Sequence, residues 1–189
     1  MVGGAGAVEH AELVDAAPQL FADVPAGEPP GDTPAAGDGA PSSPYRGGVH
    51  KLEAEGGEPT THVALGFEGV PVASDDVYAS FVLQQLLGGG DSFSTGGPGK
   101  GMHSQLYRQV LSRYGAFETC VAFNHSYAET GLFGIFASVT QATAGDVVAL
   151  LVDQLTRVAK GVDDVQFRRA QNSLKGSVLM NLESRLVLF

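Results

Sequence analysis

The stretch "AFETCVAFNHSYAETGLFGIFASV", residues 116–139, decides the fold class. Its two halves, 116–127 and 130–139, are predicted strands, and only the dipeptide "AE" separates them. This spacing predicts a β-hairpin. The polar residues His125, Tyr127 and Glu129 share one face if the first strand extends that far, and the polar face of a hairpin explains them more simply than a catalytic set does.

The residues before the hairpin add strands and two helices. Residues 47–55 ("GGVHKLEAE") and 61–69 ("THVALGFEG") alternate apolar and polar residues, which predicts two half-buried strands. Residues 74–87 form a predicted helix capped by Ser74 or Asp75. Residues 102–115 form a second predicted helix that ends at Gly115. The residues predicted to face the core are Val77, Phe81, Leu83 and Leu86 or Leu87 in the first helix, and Met102, Leu106, Val110 and Leu111 in the second.

Two more helices follow the hairpin. Residues 143–160 open with Thr143 and Asp146 at capping-box spacing. The last helix is predicted from Asp163 or Asp164 through residue 185, and the acidic pairs at helix starts (Asp75 with Asp76, Asp163 with Asp164) are interpreted as caps. Hairpins combined with helical layers predict an α+β fold, with a mixed sheet and helices packed on it.

The N-terminal part of the chain has a different composition. Residues 1–8 are a predicted strand and residues 9–21 a predicted helix, whereas residues 18–44 hold seven of the ten prolines and cannot bury enough apolar surface to fold alone. This segment is a predicted linker. Because the chain begins on a bare strand and ends on an apolar tetrapeptide, the sequence is predicted to be incomplete at both ends.

Composition and charge exclude several classes of function. No apolar run approaches the roughly 18 residues that span a bilayer, so no transmembrane segment is expected. The net charge of −10 argues against nucleic acid as a partner. That charge is uneven, since residues 1–58 hold ten acidic and two basic residues, whereas residues 59–189 hold eleven and nine. The single cysteine, Cys120, excludes an internal disulfide and a cysteine-based zinc site.

A glycine run separates the first two predicted helices of the second half. Residues 88–101 ("GGGDSFSTGGPGKG") are half glycine, seven of fourteen. The run fails the Walker A pattern, because Ser94 and Gly101 stand where a glycine and a hydroxyl residue are needed, and it also fails G-x-G-x-x-G. No histidine pair has zinc-ligand spacing. Two interpretations stay open: a backbone-rich loop that contacts an extended peptide, and a plain connector.

Three segments carry a resemblance to a known family: "LLGGGDSFSTGGPGKGMHSQLYRQVL", "NHSYAETGLFGIFAS" and "LMNLESR". Together they resemble the alpha subunits of mitochondrial processing peptidases, in the pitrilysin-like metallopeptidase superfamily, whose relatives include core subunits of respiratory complex III. Asp91 and His103 depart from the family's pattern. The resemblance implies a pitrilysin-like fold, with residues 1–24 as the end of a first peptidase-like domain, 25–48 as a linker and 49–189 as the first part of a second domain.

The resemblance also implies a function. The chain is expected to have no catalytic residue and no cofactor, while zinc belongs to a catalytic beta subunit that is the expected partner in a heterodimer. Its location is expected to be the mitochondrial matrix or the periphery of the inner membrane. The alternative is a structural core subunit of complex III. Presequences of imported proteins are expected to bind through the glycine run, whose residues are Gly88, Gly89, Gly90, Asp91, Ser92, Phe93, Ser94, Thr95, Gly96, Gly97, Pro98, Gly99, Lys100 and Gly101.

Overall fold

A computed structural model describes residues 9–25, 44–53, 60–91, 102–140 and 144–183. The chain divides into two compact units, Ser43–Lys175 and a smaller one made of Met1–Ser42 and Gly176–Phe189. The smaller unit contains helix α1, His10–Leu20, which confirms the predicted helix. None of the residues of α1 is buried. The strand predicted at 1–8 lies outside the described residues.

The larger unit is built on a four-stranded sheet. Its strands are β1 (Thr60–Gly69), β2 (Gly89–Asp91), β3 (Phe117–Ser126) and β4 (Gly131–Thr140). They lie in the order β1-β4-β3-β2, and all three pairings are antiparallel. The α+β class is confirmed, and no parallel pair of the predicted mixed sheet lies among the described strands.

The hairpin formed by β3 and β4 is confirmed, with a longer turn than predicted. The strands end at Ser126 and restart at Gly131, so four residues connect them instead of two. The Tyr127 amide donates to the Thr130 carbonyl at 2.8 Å and closes this turn. A register shift between Phe117 and Thr119 marks an irregularity at the far end of β3.

The core lies on one face of the sheet, under helices α2 (Val77–Leu87) and α3 (Ala144–Lys160). Alternate residues of the two central strands point into it, as the period of a strand requires. The fully buried residues of the core include Leu87, Leu106, Val110, Cys120, Ile135, Ala137, Val139, Val147 and Leu151. Helix α4 (Asp164–Asn181) follows α3 and begins at one of the two aspartates predicted to start it.

The strand predicted at 47–55 is wrong over the residues that the structure describes, 47–53. These residues form no regular structure. Val49 is 87% exposed and Leu52 is 98% exposed. The physical reason is their spacing, because residues three positions apart point to opposite faces of a strand and cannot both enter one core. The strand predicted at 61–69 is confirmed as β1.

The two helices on either side of the glycine run are both shorter than predicted. Helix α2 starts at Val77, because the Ser74 side chain accepts a hydrogen bond from the Asp76 amide at 3.2 Å and holds a turn there. The helix predicted at 102–115 is reduced to two helical residues and a π-helical segment, Tyr107–Leu111. Leu106, Val110 and Leu111 are buried in the core, as predicted, whereas Met102 stays 42% exposed.

Helix α3 follows the sequence prediction, whereas α4 ends at Asn181, before the predicted end, and residues 182 and 183 form a turn. Thr143, the predicted cap of α3, and residues 184 and 185, the predicted end of α4, lie outside the described residues. Within the parts of the chain that the structure describes, no helix is long and apolar enough to cross a membrane.

Candidate functional site

The glycine run begins where α2 ends, at Gly88. This residue has φ 53° and ψ −122°, a conformation that residues with a side chain rarely adopt. A methyl group added at its Cα would collide with the Ser104 Cβ and lie 2.8 Å from the Ser104 Oγ. Backbone conformation and close approach therefore both require glycine at this position.

Gly88, the first residue of the run, meets Ser104, which lies three residues after the run, and we call this pair the neck. Ser104 is 8% exposed. The Gly88 amide donates to the Gln84 carbonyl at 2.6 Å, and its carbonyl accepts from the Ala122 amide at 2.9 Å. The start of the run is thus hydrogen-bonded to both α2 and β3, so the run emerges from a fixed base.

Gly89, Gly90 and Asp91 form the edge strand β2, which the sequence analysis placed in a loop. They pair with Val121, Cys120 and Thr119 of β3. The prediction that these residues lie in a loop is wrong, because the chain leaves α2 beside β3, where the Ala122 amide donates to the Gly88 carbonyl and the next three residues pair with that strand. Since β2 is the last strand in the sheet order, one of its edges has no strand partner among the described residues.

Gln105, which follows the neck, is hydrogen-bonded to α3. Gln105 donates from its Nε2 to the Gln154 Oε1 at 3.1 Å, and Gln154 is only 3% exposed. Gln154 in turn donates to Asp153 Oδ2 at 3.2 Å. A buried amide on α3 therefore fixes Gln105, the residue that follows the neck.

Among the described residues, the surroundings of the neck offer neither a reactive thiol nor a cluster of metal-binding side chains. Cys120 pairs with Gly90 across the sheet and is fully buried. Burial raises the pKa of its thiol to about 12, so the thiol is protonated near neutral pH and is a poor nucleophile. No group of three or more histidine, cysteine, aspartate or glutamate residues in the described ranges could hold a metal ion.

The structure describes only part of the predicted site. Gly88–Asp91 lie at the base of the run, as just described, and Ser92–Gly101 lie outside the described residues. His125, Tyr127 and Glu129 are exposed, and only His125 belongs to β3. The His125 ring stacks on Phe123 with centroids 5.9 Å apart, as residues two apart on one strand face can do. The three side chains therefore do not form a set on one strand.

A cleft at the base of the run was missed by the sequence analysis. It has a volume of about 260 Å³ and lies beside both ends of the run, with Leu86 before the neck and Gln105 after it. No sequence signal marks it, because three separate stretches of the chain build it. Its remaining lining residues are Arg157, Val158, Gly161, Val162, Asp163 and Gln166.

Comparison with known proteins identifies the class of protein. The family model described as "Peptidase M16 inactive domain" matches residues 1–174. The chain therefore belongs to the peptidase M16 inactive-domain family. A crystal structure of such a domain from Pseudomonas fluorescens matches with a TM-score of 0.54 at 20% identity, over 64% of this chain and 27% of that one.

Relatives with curated names narrow the class. The chain is 50% identical over 127 residues to the probable mitochondrial-processing peptidase subunit alpha of Schizosaccharomyces pombe, which covers 67% of this chain and 25% of that protein. It is 44% identical to the probable alpha-1 subunit of Arabidopsis thaliana, over 99% of this chain and 36% of that protein. The resemblance to these alpha subunits is confirmed. The chain spans between about a quarter and two fifths of the length of these relatives.

A solved structure connects the fold with a respiratory complex. A chain of Complex III2 from Candida albicans, with Inz-5 bound, matches with a TM-score of 0.58 at 16% identity. The match covers 69% of this chain and 31% of that one. At this identity the match shows the fold alone. The expected pitrilysin-like architecture is confirmed by the family match and the structure of the M16 inactive domain.

Proposed function

We propose that the chain is part of a non-catalytic alpha subunit of a mitochondrial processing peptidase. In this proposal the glycine run holds the presequences of imported precursor proteins while a catalytic beta subunit cuts them. The proposal is supported by the names of the relatives, which match over as much as 100% of this chain. No catalytic residue is assigned to the chain.

The anchored base of the glycine run carries the proposal. Edge strand β2 is two thirds glycine and lies at the end of the sheet. An extended peptide can pair with such an edge through main-chain hydrogen bonds, which do not depend on the peptide's sequence. This mode of binding suits a protein that must accept many unrelated presequences.

The size of this edge sets a limit on what it contributes. A net gain of about 1 kcal/mol per hydrogen bond makes three strand residues worth only a few kcal/mol. That gain alone gives a dissociation constant in the millimolar range or weaker. Residues 92–101, with glycine at 96, 97, 99 and 101, are proposed to supply the remaining contacts, so the whole run is needed for tight binding.

Charge on the run is proposed to have a small part in binding. Asp91 and Lys100 are its only charged residues, and they cancel. Presequences are basic amphipathic peptides, so long-range attraction must come mainly from other parts of the heterodimer. The run would then act at short range, through backbone contacts.

Partner, metal and location follow from the same proposal. The partner is a beta subunit, and zinc is assigned to that subunit. The location is the mitochondrial matrix or the matrix face of the inner membrane. The role of a complex III core subunit stays the alternative, and co-purification of the full-length protein with a zinc peptidase subunit, with complex III, or with both distinguishes the two roles.

Deletion of the run tests the proposal in the assembled enzyme. Residues 92–100 are replaced by a short linker in the full-length protein, so that β2 and the neck are kept. Affinity for a fluorescent presequence peptide is expected to fall more than tenfold, because most of the contacting backbone is removed. Heterodimer yield and zinc content are expected to stay unchanged.

Two controls sharpen this test. Replacement of residues 92–100 by nine residues of glycine and serine keeps the length of the run. If this variant keeps part of the affinity for the presequence peptide, the binding is due to the exposed backbone of the run. Asp91→Asn is expected to have a smaller effect, strongest at low salt, where an exposed charge is least screened. Unchanged affinity in the deletion variant would make the run a plain connector and end the proposal.

A further inference from the structure

We infer that Gln84 is a positioning residue, whose side chain fixes edge strand β2 in one register beside β3. This role rests on the proposed function, because that function makes β2 a peptide-binding edge. Gln84 belongs to α2 and lies four residues before Gly88, outside the glycine run.

The hydrogen bonds between β2 and β3 are incomplete where β2 begins. The register of the two strands places Gly88 opposite Ala122. In an antiparallel pair, every second pair of facing residues exchanges two hydrogen bonds. The Ala122 amide donates to the Gly88 carbonyl at 2.9 Å, but the Gly88 amide donates to the Gln84 carbonyl at 2.6 Å. The Ala122 carbonyl therefore lacks the main-chain donor that Gly88 would supply in a regular pair.

The Gln84 side chain supplies a donor in its place. Its Nε2 donates to the Ala122 carbonyl at 3.3 Å. Ala122 is 4% exposed, so the loss of this amide would leave its carbonyl buried without that hydrogen bond, which is unfavourable. Gln84 thus holds the start of β2 twice, because its main-chain carbonyl binds Gly88 and its side chain binds the residue opposite Gly88.

The register decides which main-chain groups of β2 face outwards. Because Gly88 and Ala122 form a hydrogen-bonded pair, the next residue of β2 that points its amide and carbonyl to β3 is Gly90. The amides and carbonyls of Gly89 and Asp91 then point to the edge that has no strand partner among the described residues. A slip of one residue would exchange the two sets, so a peptide that pairs through its main chain needs this register.

The residues of β2 specify this register only weakly. The strand is three residues long and begins with two glycines, which have no side chain to direct to one face of the sheet. Glycine-rich strands are prone to slip for this reason. The register must therefore be fixed from outside the strand, and the Gln84 side chain does so where the strand begins.

A second contact fixes α2 itself against β3. Ser80 lies four residues before Gln84, and its Oγ accepts from Asn124 Nδ2 at 2.9 Å. Asn124 lies two residues after Ala122 on β3. Four helical residues rise about 6 Å and two strand residues span about 6.6 Å, so the two contacts match in spacing. A slide of α2 along β3 would break both, and Gln84 therefore acts from a fixed position.

Hydrogen exchange tests this role in the full-length protein assembled with its catalytic subunit. Gln84→Leu removes the donor, and Gln84→Glu keeps the shape of the side chain but leaves only an acceptor when it is ionised. In both variants the amides of residues 89–91 should exchange about tenfold faster than in wild type, because β2 opens more often. Mass spectrometry measures this exchange. The amides of residues 131–139 in β4 should be unaffected, which checks that the core is intact.

Binding and cleavage by the same variants connect this register with the proposed function. The dissociation constant of a fluorescent presequence peptide, measured by anisotropy, should rise about fivefold, the size expected from one hydrogen bond. KM for cleavage should rise with it. The value of kcat should stay within about twofold of wild type, because a displaced binding edge affects substrate binding more than the cleavage step.

Gln85→Leu is the matched control. Gln85 is the next residue of α2, and its Oε1 accepts from Ser173 Oγ of α4 at 3.3 Å. This variant should leave exchange and affinity within about twofold of wild type.

Three results would overturn the role of Gln84: unchanged exchange of residues 89–91 in both Gln84 variants, faster exchange with unchanged affinity, or equal effects of Gln85→Leu. The proposed function is tested separately by the deletion of residues 92–100, which keeps Gln84 and β2. The two failures are therefore distinguishable.

Discussion

The β3–β4 hairpin and the neck of the glycine run are held in place by opposite means. In the hairpin, side chains that alternate along the strands fill the core, and Ile135, Ala137 and Val139 are fully buried. At the neck, the absence of a side chain at Gly88 lets the backbone meet Ser104. The hairpin is thus specified by side chains that fill the core, and the neck by the absence of a side chain at Gly88.

Because of this difference, the hairpin mainly determines the stability of the larger unit, and the neck mainly determines the position of the proposed binding segment. A core of packed side chains tolerates little loss of volume, and it supports whatever is attached to its edges. The neck contributes little buried area, but it fixes the start of the run against Ser104. Substitutions in the two regions should therefore be distinguishable by which measurement they change.

Ile135→Ala should give the largest effect on stability. Ile135 is fully buried at the centre of β4, so the truncation leaves a cavity and costs about 4 kcal/mol of the free energy of unfolding. Urea denaturation of the full-length protein, followed by circular dichroism, measures this cost. Val148→Ala on α3, where Val148 is 47% exposed, is the control and should change stability by less than about 0.5 kcal/mol.

Gly88→Ala should give the second largest effect. The new methyl group meets Ser104, and the positive φ strains any residue that has a side chain, so we expect a loss of about 3 kcal/mol. The double variant Gly88→Ala with Ser104→Gly removes the collision but not the strain. It should recover part of the loss, and a double variant no more stable than Gly88→Ala would contradict the close contact in the neck.

The sequence predicted the hairpin well, because its strands are long and their pairing is local. It also placed α3 within one residue, since strong apolar periodicity survives most tertiary contexts. It failed at 47–53 because an apparent alternation there contained two apolar residues of the wrong spacing. A pattern of apolar letters predicts a strand only where a partner strand and a shared core face exist.

The candidate site was less predictable than the fold. Composition located the glycine run, but not the strand β2 at its start. These three residues form a strand because they lie beside β3 and pair with it, which their own sequence does not indicate. The π-helical segment and the cleft depend on contacts between distant segments. Such features follow from the assembled core, and no local sequence signal specifies them.

Alkaline titration of Cys120 offers a smaller test on the hairpin side of the comparison. Burial raises the pKa of this thiol from an ordinary 9.0 to about 12, so the folded chain favours the protonated form. The resulting stability is fully present below pH 9 and is lost as the pH rises towards 12. The free energy of unfolding should therefore fall more steeply between pH 9 and 10.5 for wild type than for Cys120→Ala. Parallel curves would contradict the burial of the thiol.

The smallest effect is expected at the ion pair beside the cleft. Arg157 and Asp153 lie one turn apart on α3, and their side chains are 59% and 49% exposed. Solvent screens such a pair, and holding two long side chains costs entropy, so Arg157→Gln should lower stability by only about 0.4 kcal/mol. The loss should disappear in 1 M salt, where the Debye length is about 3 Å. A loss above about 1 kcal/mol, or one unaffected by salt, would mean that Arg157 supports the base of the run through packing. The neck would then depend on side-chain contacts, as the hairpin does.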